Sequence, residues 1–182
     1  MSMSMAGPRF NYDDYKLLPE EKRYEIIEGE LLVTPAPSIR HQKVLGRLFN
    51  KIYTFAEGAR LGTVLAAPTD VVLDNESVVQ PDILYVSAAR HPILESGVAV
   101  HGAPDLAVEI LSPSTAKRDQ VIKRKLYQKY GVREFWIVDP DVQTVEVCAL
   151  GEGSSTLFTR GSRLVSPLLP GFQVPLDDLF VE

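Results

Sequence analysis

One short segment constrains the fold of this chain more than any other. The run Leu106-Ala-Val-Glu-Ile-Leu111 is apolar except for Glu109, and its alternation puts apolar side chains on both faces of a strand. A strand of that kind is usually covered on both faces. An ionised carboxylate is costly there unless it pairs with a cation or binds a metal ion. We therefore expect Glu109 either in a salt bridge with an arginine or lysine, or in a metal site.

The apolar pattern elsewhere alternates between helical and strand periods. Helical spacing predicts a long helix over residues 39–56, capped by Ser38, and a second helix over 115–130. Shorter helical segments are expected over 12–18 and 20–27, and an irregular cover at the proline-rich tail. Strands are predicted at 30–34, 62–67, 70–73, 83–86, 106–111, 134–138 and 142–150. This order predicts an α/β or α+β fold with a mixed sheet flanked by helices.

Length and composition describe an ordinary globular protein. At roughly 150 residues per domain, 182 residues predict a single domain over 1–182, and residues 1–9 are expected to be a disordered tail. No apolar run approaches the roughly 18 residues of a membrane helix, and the first ten residues lack the features of a signal peptide. The one cysteine, Cys148, cannot form an internal disulfide. A cytoplasmic protein without membrane contact is expected.

The charge distribution is uneven. The net charge is −5, which counts against a protein that coats nucleic acid non-specifically. Residues 117–133 nevertheless contain seven lysines and arginines against one acid, Asp119. An acidic body with one basic segment suits contact with phosphate at one place, and a solvated helix face is the alternative.

A second carboxylate can stand beside Glu109. Asp82 follows Pro81 at the start of a predicted strand, so a sheet can place it next to Glu109. Asp105 lies on the same strand as Glu109, but about 13 Å of strand separates them, which is too far to share one ion. Two neighbouring carboxylates form a magnesium-type site. No histidine pair or cysteine cluster offers a zinc alternative.

Several motifs together resemble a known family. They are Tyr24-Glu-Ile-Ile-Glu-Gly-Glu-Leu31, Ser38-Ile-Arg-His-Gln42, Pro81-Asp82, the segment from Pro104 through Glu109 to Thr115, Asp119 with Lys123 and Tyr127, and the segment from Gly131 to Pro140. Over roughly residues 10–180 the chain is similar to the Uma-type family of restriction-endonuclease-like proteins, which have the fold of the PD-(D/E)XK nucleases. The resemblance implies a restriction-endonuclease-like fold and a DNA endonuclease that needs Mg²⁺ or Mn²⁺. A homodimer is expected, because cutting both strands of a duplex usually takes two sites.

The nuclease pattern can be carried over residue by residue. Its first acid matches Asp82 and its second matches Glu109, but the lysine expected two residues later is Leu111. The resemblance implies that Lys123, four residues after Asp119, is the displaced catalytic lysine. Lys123 and Tyr127 share one helix face that can look back at the end of the Glu109 strand. The alternative for Lys123 is a solvated basic helix.

The remaining site predictions complete a metal shell and a substrate surface. The backbone carbonyl of Ile110 is a candidate metal ligand. Members of this fold often add an acid from the first helix, here Glu28 or Glu25, and Glu28 is our candidate ligand.

Removing Asp82 or Glu109 is expected to abolish cleavage and leave the fold intact. The alternative function is a nuclease-like module with weak or no activity that binds nucleic acid or assembles with proteins, favoured by Leu111 and the acidic net charge. The candidate substrate-binding residues are His41, Ser112, Ser114, Arg118, Lys125 and Tyr127.

Overall fold

The computed structural model of the chain describes residues 7–112 and 119–181. Its helices are α1 (Tyr12–Tyr15), α2 (Ile39–Gly58) and α3 (Arg124–Lys129), and α3 continues a π-helical segment, Asp119–Lys123. Two 3₁₀ turns cover Ala88–Leu94 and Leu176–Leu179. The strands are β1 (Arg23–Ile27), β2 (Glu30–Thr34), β3 (Gly62–Ala66), β4 (Val71–Asp74), β5 (Ser77–Val79), β6 (Ile83–Ser87), β7 (Val100–His101), β8 (Leu106–Ile110), β9 (Glu134–Asp139), β10 (Thr144–Ala149), β11 (Ser154–Phe158), β12 (Arg163–Val165) and β13 (Gln173–Pro175).

A mixed six-stranded sheet forms the centre of the molecule. Its strand order is β11-β10-β9-β8-β6-β3, with β8 and β9 parallel and the other neighbours antiparallel. Every residue of β8 is buried, as its two apolar faces predict. Val108 belongs to the core on the α2 side, and Ala107 to the core on the α3 side. The predicted class, a mixed sheet with helices packed against it, is confirmed.

The long helix α2 follows the amphipathic pattern of its sequence. Ser38 caps it, because its side chain accepts a hydrogen bond from the backbone N–H of His41. Val44, Leu48 and Ile52 are buried on one face and pack against the central sheet. The prediction of a helix beginning at residue 39 is confirmed, and the helix extends two residues beyond its predicted end. In the described ranges, no helix combines the length and the apolar composition of a membrane span.

The predicted helix over residues 20–27 is wrong. Residues 23–27 form β1, which pairs antiparallel with β2 on one side and with β5 on the other, in a sheet of order β2-β1-β5-β4-β7. The β-branched Ile26 and Ile27 are buried in this sheet. Glu28 and Gly29 form the hairpin turn with φ of 49° and 83°, a left-handed conformation that glycine adopts without a steric cost. Local helical spacing was therefore overridden by strand pairing.

The proline-rich tail contains more regular structure than predicted. β12 and β13 form a hairpin whose Leu164 and Val174 enter the core on the α2 side. The buried carboxylate of Glu134 ties the loop between β12 and β13 to the central sheet, since it accepts hydrogen bonds from Ser166 Oγ and the backbone N–H of Leu168. It also accepts from Trp136 Nε1 on its own strand. Glu134 therefore has a structural role.

Candidate active site

Asp82 and Glu109 stand opposite each other on neighbouring strands. β6 and β8 pair antiparallel with Ile83 opposite Val108, so one residue further out Asp82 is opposite Glu109. Directly opposed residues of an antiparallel pair project from the same face of the sheet. Both are buried, with 7% of Asp82 and 5% of Glu109 exposed. The structure thus brings together the two acids that the sequence singles out.

Two donors orient the carboxylate of Asp82. The backbone N–H of Ile110 donates to Asp82 Oδ2 over 2.7 Å, and His41 Nε2 lies 3.1 Å from the same oxygen. Within the described parts of the chain, Asp82 Oδ1 has no hydrogen-bond partner. One oxygen is therefore held by the protein, while the other remains available to a ligand at the end of the strand.

The carboxylate of Glu109 is held from α3 and the segment before it. Lys123 Nζ lies 3.0 Å from Glu109 Oε2, and the hydroxyl of Tyr127 donates to Glu109 Oε1 over 2.8 Å. Tyr127 is fully buried, and burial, followed by the negative charge of Glu109, raises its pKa well above the ordinary value. The hydroxyl therefore stays protonated and donates. Tyr127 positions Glu109, and its side chain, which is predicted to contact substrate, is fully buried.

Lys123 lies between two carboxylates. Its Nζ is 2.9 Å from Glu25 Oε1 as well as 3.0 Å from Glu109 Oε2, and only 4% of the residue is exposed. Glu25 comes from β1, and its Oε1 also accepts a hydrogen bond from the backbone N–H of Gln80 over 2.8 Å. The alternative of a solvated lysine is thus excluded. Leu111, at the position of the expected lysine, is buried in the core on the α3 side.

The structure places Glu28, a candidate ligand, outside this cluster of buried side chains. Glu28 occupies the turn between β1 and β2, and its side chain is 61% exposed and pairs with Lys129 at 2.9 Å. The carboxylate that lies beside Lys123 belongs to Glu25, the other acid of that stretch. The signal was present in the sequence: two short apolar runs separated by Glu28-Gly29 are typical of a hairpin, and alternation along the first run buries Glu25 and leaves Glu28 in the turn. No pattern in the sequence indicated that the backbone N–H of Gln80 donates to Glu25.

The predicted substrate-binding residues fall into different places. His41 is buried and contacts Asp82, and its Nδ1 is buried with no hydrogen-bond partner in the described residues. Ser112 is half-buried just after β8, and Lys125 is exposed on α3. Ser114 and Arg118 lie outside the described residues. His41 is therefore placed to orient Asp82 rather than to face solvent.

The comparisons with known proteins agree with this architecture. Residues 12–177 match the family model Uma2, described as "putative restriction endonuclease". The chain belongs to the Uma2 family. It is also similar to a solved structure from Anabaena variabilis ATCC 29413, described as "a putative nuclease belonging to DUF820", with 24% identity, coverage of 94% of this chain and 97% of that chain, and a TM-score of 0.81. This second likeness supports the fold alone. A search of curated proteins gave no match.

The donor atoms of this Uma2-family site suit a hard cation. Carboxylate and carbonyl oxygens are the ligands that Mg²⁺ prefers, and Mg²⁺ usually keeps several waters. Among residues 7–112 and 119–181, no group of three or more histidine, cysteine, aspartate or glutamate side chains is arranged to hold a metal ion. The acids brought together here are Asp82 and Glu109, whose carboxylates are of the type that such an ion takes. Lys123 competes with any cation for Glu109 Oε2.

Proposed function

We propose that this Uma2-family protein is a metal-dependent DNA endonuclease that hydrolyses phosphodiester bonds, with Asp82, Glu109 and Lys123 as its catalytic residues. The family model is described as "putative restriction endonuclease", and restriction endonucleases act on DNA. The observation that carries the assignment is the buried ammonium of Lys123, 3.0 Å from the glutamate that faces Asp82. A lysine two residues after the second acid is missing, and Lys123 supplies the same chemical group from a different element.

Each residue of the cluster has a distinct part in the proposed reaction. Asp82, Glu109 and the carbonyl of Ile110 would hold Mg²⁺ or Mn²⁺, which when bound polarises a phosphoryl oxygen and lowers the pKa of a water molecule. Lys123 neutralises charge on the scissile phosphate and orients the attacking water. Glu25 and Tyr127 keep Lys123 and Glu109 in place. His41 and the backbone of Ile110 do the same for Asp82.

Cleavage of supercoiled plasmid tests the proposal. We expect the purified chain to nick plasmid DNA with Mg²⁺ or Mn²⁺ and to be inactive in EDTA. Asp82→Asn removes a charge from the site and keeps the shape of the side chain, so its activity should be lost. Asp13→Asn is the matched control, since Asp13 is exposed on α1 and its one ion pair among the described residues is with Lys16. Parental nicking by Asp82→Asn contradicts the assignment.

A second function has one specific observation in its favour. The positive charge of Lys123 is already balanced by two carboxylates, and Leu111 adds no cation. A nuclease-like module that binds nucleic acid or assembles with proteins, with little or no cleavage, fits that balance and the acidic net charge. DNA affinity without nicking under any divalent ion identifies this alternative.

The proposal includes two further properties. We expect a homodimer, because cleavage of both strands of a duplex needs two active sites. Light scattering should then give about 40 kDa, twice the 20.2 kDa of one chain. A cytoplasmic location fits the single cysteine, which is a buried free thiol. Fractionation of cells that express the chain tests that location.

A further inference from the structure

The helix α2 carries a positively charged face. Arg40, Lys43, Arg47 and Lys51 recur at spacings of three and four residues, which places them within an arc of about 80° at 100° per residue. The only acidic residue of α2 is Glu57, near its far end. We call these four residues the α2 basic face. Such a cluster stands out in a chain whose net charge is −5.

Helix stability does not explain this placement. The amino end of a helix carries a partial positive charge, so a cation in the first turn is unfavourable by a few tenths of a kcal/mol to about 1 kcal/mol. Arg40 nevertheless occupies the first turn of α2, and no acid is present there. The amino end of α2 therefore carries more positive charge than is favourable for the stability of the helix. Positive charge at a helix amino end attracts phosphate.

The α2 basic face begins next to the candidate active site. His41 points inward from the first turn to Asp82, while Arg40 and Lys43 on either side of it are exposed. Arg40, Lys43 and Arg47 line a cavity of about 390 Å³ whose other wall includes Pro140 and Asp141, just after β9. Because β9 runs parallel to β8, this cavity lies at the same end of these strands as Glu109, on the α2 side of the sheet, whereas the carboxylate of Glu109 faces α3. A DNA strand that passes over this end of the sheet can reach both the cavity and Glu109.

The existing contacts leave the face positive. Arg40 pairs with Asp141 at 2.8 Å and Lys51 with Asp178 at 3.2 Å. Arg47 donates to the backbone carbonyls of Leu179 and Val181, which are neutral. Lys43 is exposed and has neither an ion pair nor a hydrogen bond within the described residues. Two acids therefore oppose four cations.

We propose that the α2 basic face binds the phosphate backbone of the DNA that leads into the active site. The inference rests on the proposed endonuclease function. The four residues extend over about 16 Å of helix at 1.5 Å per residue. One DNA strand carries a charge about every 3.4 Å, so this length corresponds to about five phosphates. Such contacts position DNA without reading its sequence. This surface comes in addition to the basic segment after residue 117.

Salt-dependent DNA binding tests the inference. The probe is a short fluorescein-labelled duplex, and its affinity is measured by anisotropy in EDTA between about 50 and 200 mM NaCl. The test variant is Arg40→Gln/Lys43→Gln. Each lost phosphate contact should weaken binding about five- to tenfold at 0.1 M salt and reduce the salt slope by about 0.9. Arg47 is left unchanged, because it also anchors the carboxyl-terminal residues.

Two variants sharpen the test. Arg60→Gln is the matched control, since Arg60 is exposed just beyond the far end of α2, about 25 Å from Lys43 along the helix. It should bind as the parent does. Asp141→Asn removes the acid that pairs with Arg40, so it should strengthen binding and steepen the salt slope. All the changed residues are exposed, so the melting temperatures should stay close to the parental value.

The outcomes separate this inference from the proposed function when nicking is measured in parallel. Loss of affinity and slope in the double variant supports the inference, whether or not the chain nicks DNA. Parental affinity and slope in the double variant overturn it, and nicking by the parent would then leave the endonuclease proposal standing. A parent chain that binds no duplex even at 50 mM salt also overturns it.

Discussion

Lys123 Nζ lies 3.0 Å from Glu109 Oε2, and both residues are buried near the carboxyl end of β8 in the central sheet. Glu109 comes from β8, whereas Lys123 ends the π-helical segment before α3. The same ammonium group reaches Glu25 in the second sheet at 2.9 Å. One cation therefore joins three elements, and removal of Lys123 leaves two buried carboxylates without their shared cation. Such changes destabilise proteins by about 3–5 kcal/mol.

Replacing Lys123 by methionine should affect catalysis more than DNA binding. Methionine keeps most of the side-chain length but has no charge, so the scissile phosphate loses its neutralising group. We expect a large fall in the nicking rate with a small change in duplex affinity. The free energy of unfolding should also fall by a few kcal/mol, because Glu25 and Glu109 lose their shared cation. Denaturant unfolding and nicking at low temperature measure the two effects separately.

Lys125→Met is the matched control for that experiment. Lys125 is two residues further along, exposed, and a candidate substrate-binding residue, so its replacement should leave stability close to the parental value and should weaken duplex affinity more than the nicking rate at saturating DNA. Equal nicking rates for the parent and Lys123→Met would remove Lys123 from the catalytic set.

Glu25 and Glu28 distinguish the structure from the sequence-based choice of ligand. Glu25→Gln removes the negative charge beside Lys123 and so weakens the contact that holds the ammonium group in place. Nicking should therefore decrease, and the melting temperature should fall. Glu28→Gln changes only an exposed ion pair with Lys129, which contributes at most about 1 kcal/mol. Both variants are compared with the parent by thermal unfolding and plasmid nicking. An effect of Glu28→Gln as large as that of Glu25→Gln contradicts the placement of these carboxylates.

Replacing Glu109 should cost stability as well as activity. From the sequence alone we expected the fold to tolerate its removal. In the structure Glu109 accepts from Tyr127 and faces the ammonium group of Lys123, so Glu109→Ala leaves both buried donors without this acceptor. The melting temperature in the absence of metal should therefore fall. A melting temperature at or above the parental value would show that Glu109 is strained by neighbouring negative charge instead.

His41 is predicted to be a positioning residue for Asp82. In His41→Ala the Asp82 carboxylate loses one of its two donors, and loss of such supporting hydrogen bonds typically weakens metal binding about 10- to 100-fold. Titration with Mn²⁺, followed by electron paramagnetic resonance, measures this affinity without any cleavage. His41→Asn, which keeps a donor, should recover part of it.

Gln42→Ala serves as the control for His41. Gln42 is the exposed neighbour on the same helix turn and should bind Mn²⁺ as the parent does. Unchanged Mn²⁺ affinity in His41→Ala would mean that the backbone N–H of Ile110 orients Asp82 without help.

Cys148 offers a probe of the folded state. The thiol is buried in β10, and burial raises its pKa to about 12. At pH 8 only about one thiol in 10⁴ is then ionised, and the thiolate is the reactive species. Iodoacetamide should label Cys148 very slowly in the native protein and rapidly in guanidinium chloride. Fast labelling without denaturant contradicts the burial of β10.

Much of the architecture follows from local patterns in the sequence. The spacing of Val44, Leu48 and Ile52 determines which face of α2 is buried, because a helix can bury only one stripe of its surface against a sheet. The two apolar faces of the β8 strand require cover on both sides, and Glu109 within it marks an unusual buried charge. These features depend on side-chain period alone, so one sequence is enough to predict them.

Tertiary structure decided the composition of the site. The hairpin pattern distinguishes Glu25 from Glu28, but only the packing of distant elements brings Lys123 to 2.9 Å from Glu25. Lys123, His41 and Gln80 reach their carboxylate partners across separations of 14 to 98 residues. Local propensity carries no information about such distances, because they arise when separate elements share one core. The sequence alone therefore determined which acid would be costly to bury, and the packing of distant elements decided which groups compensate it.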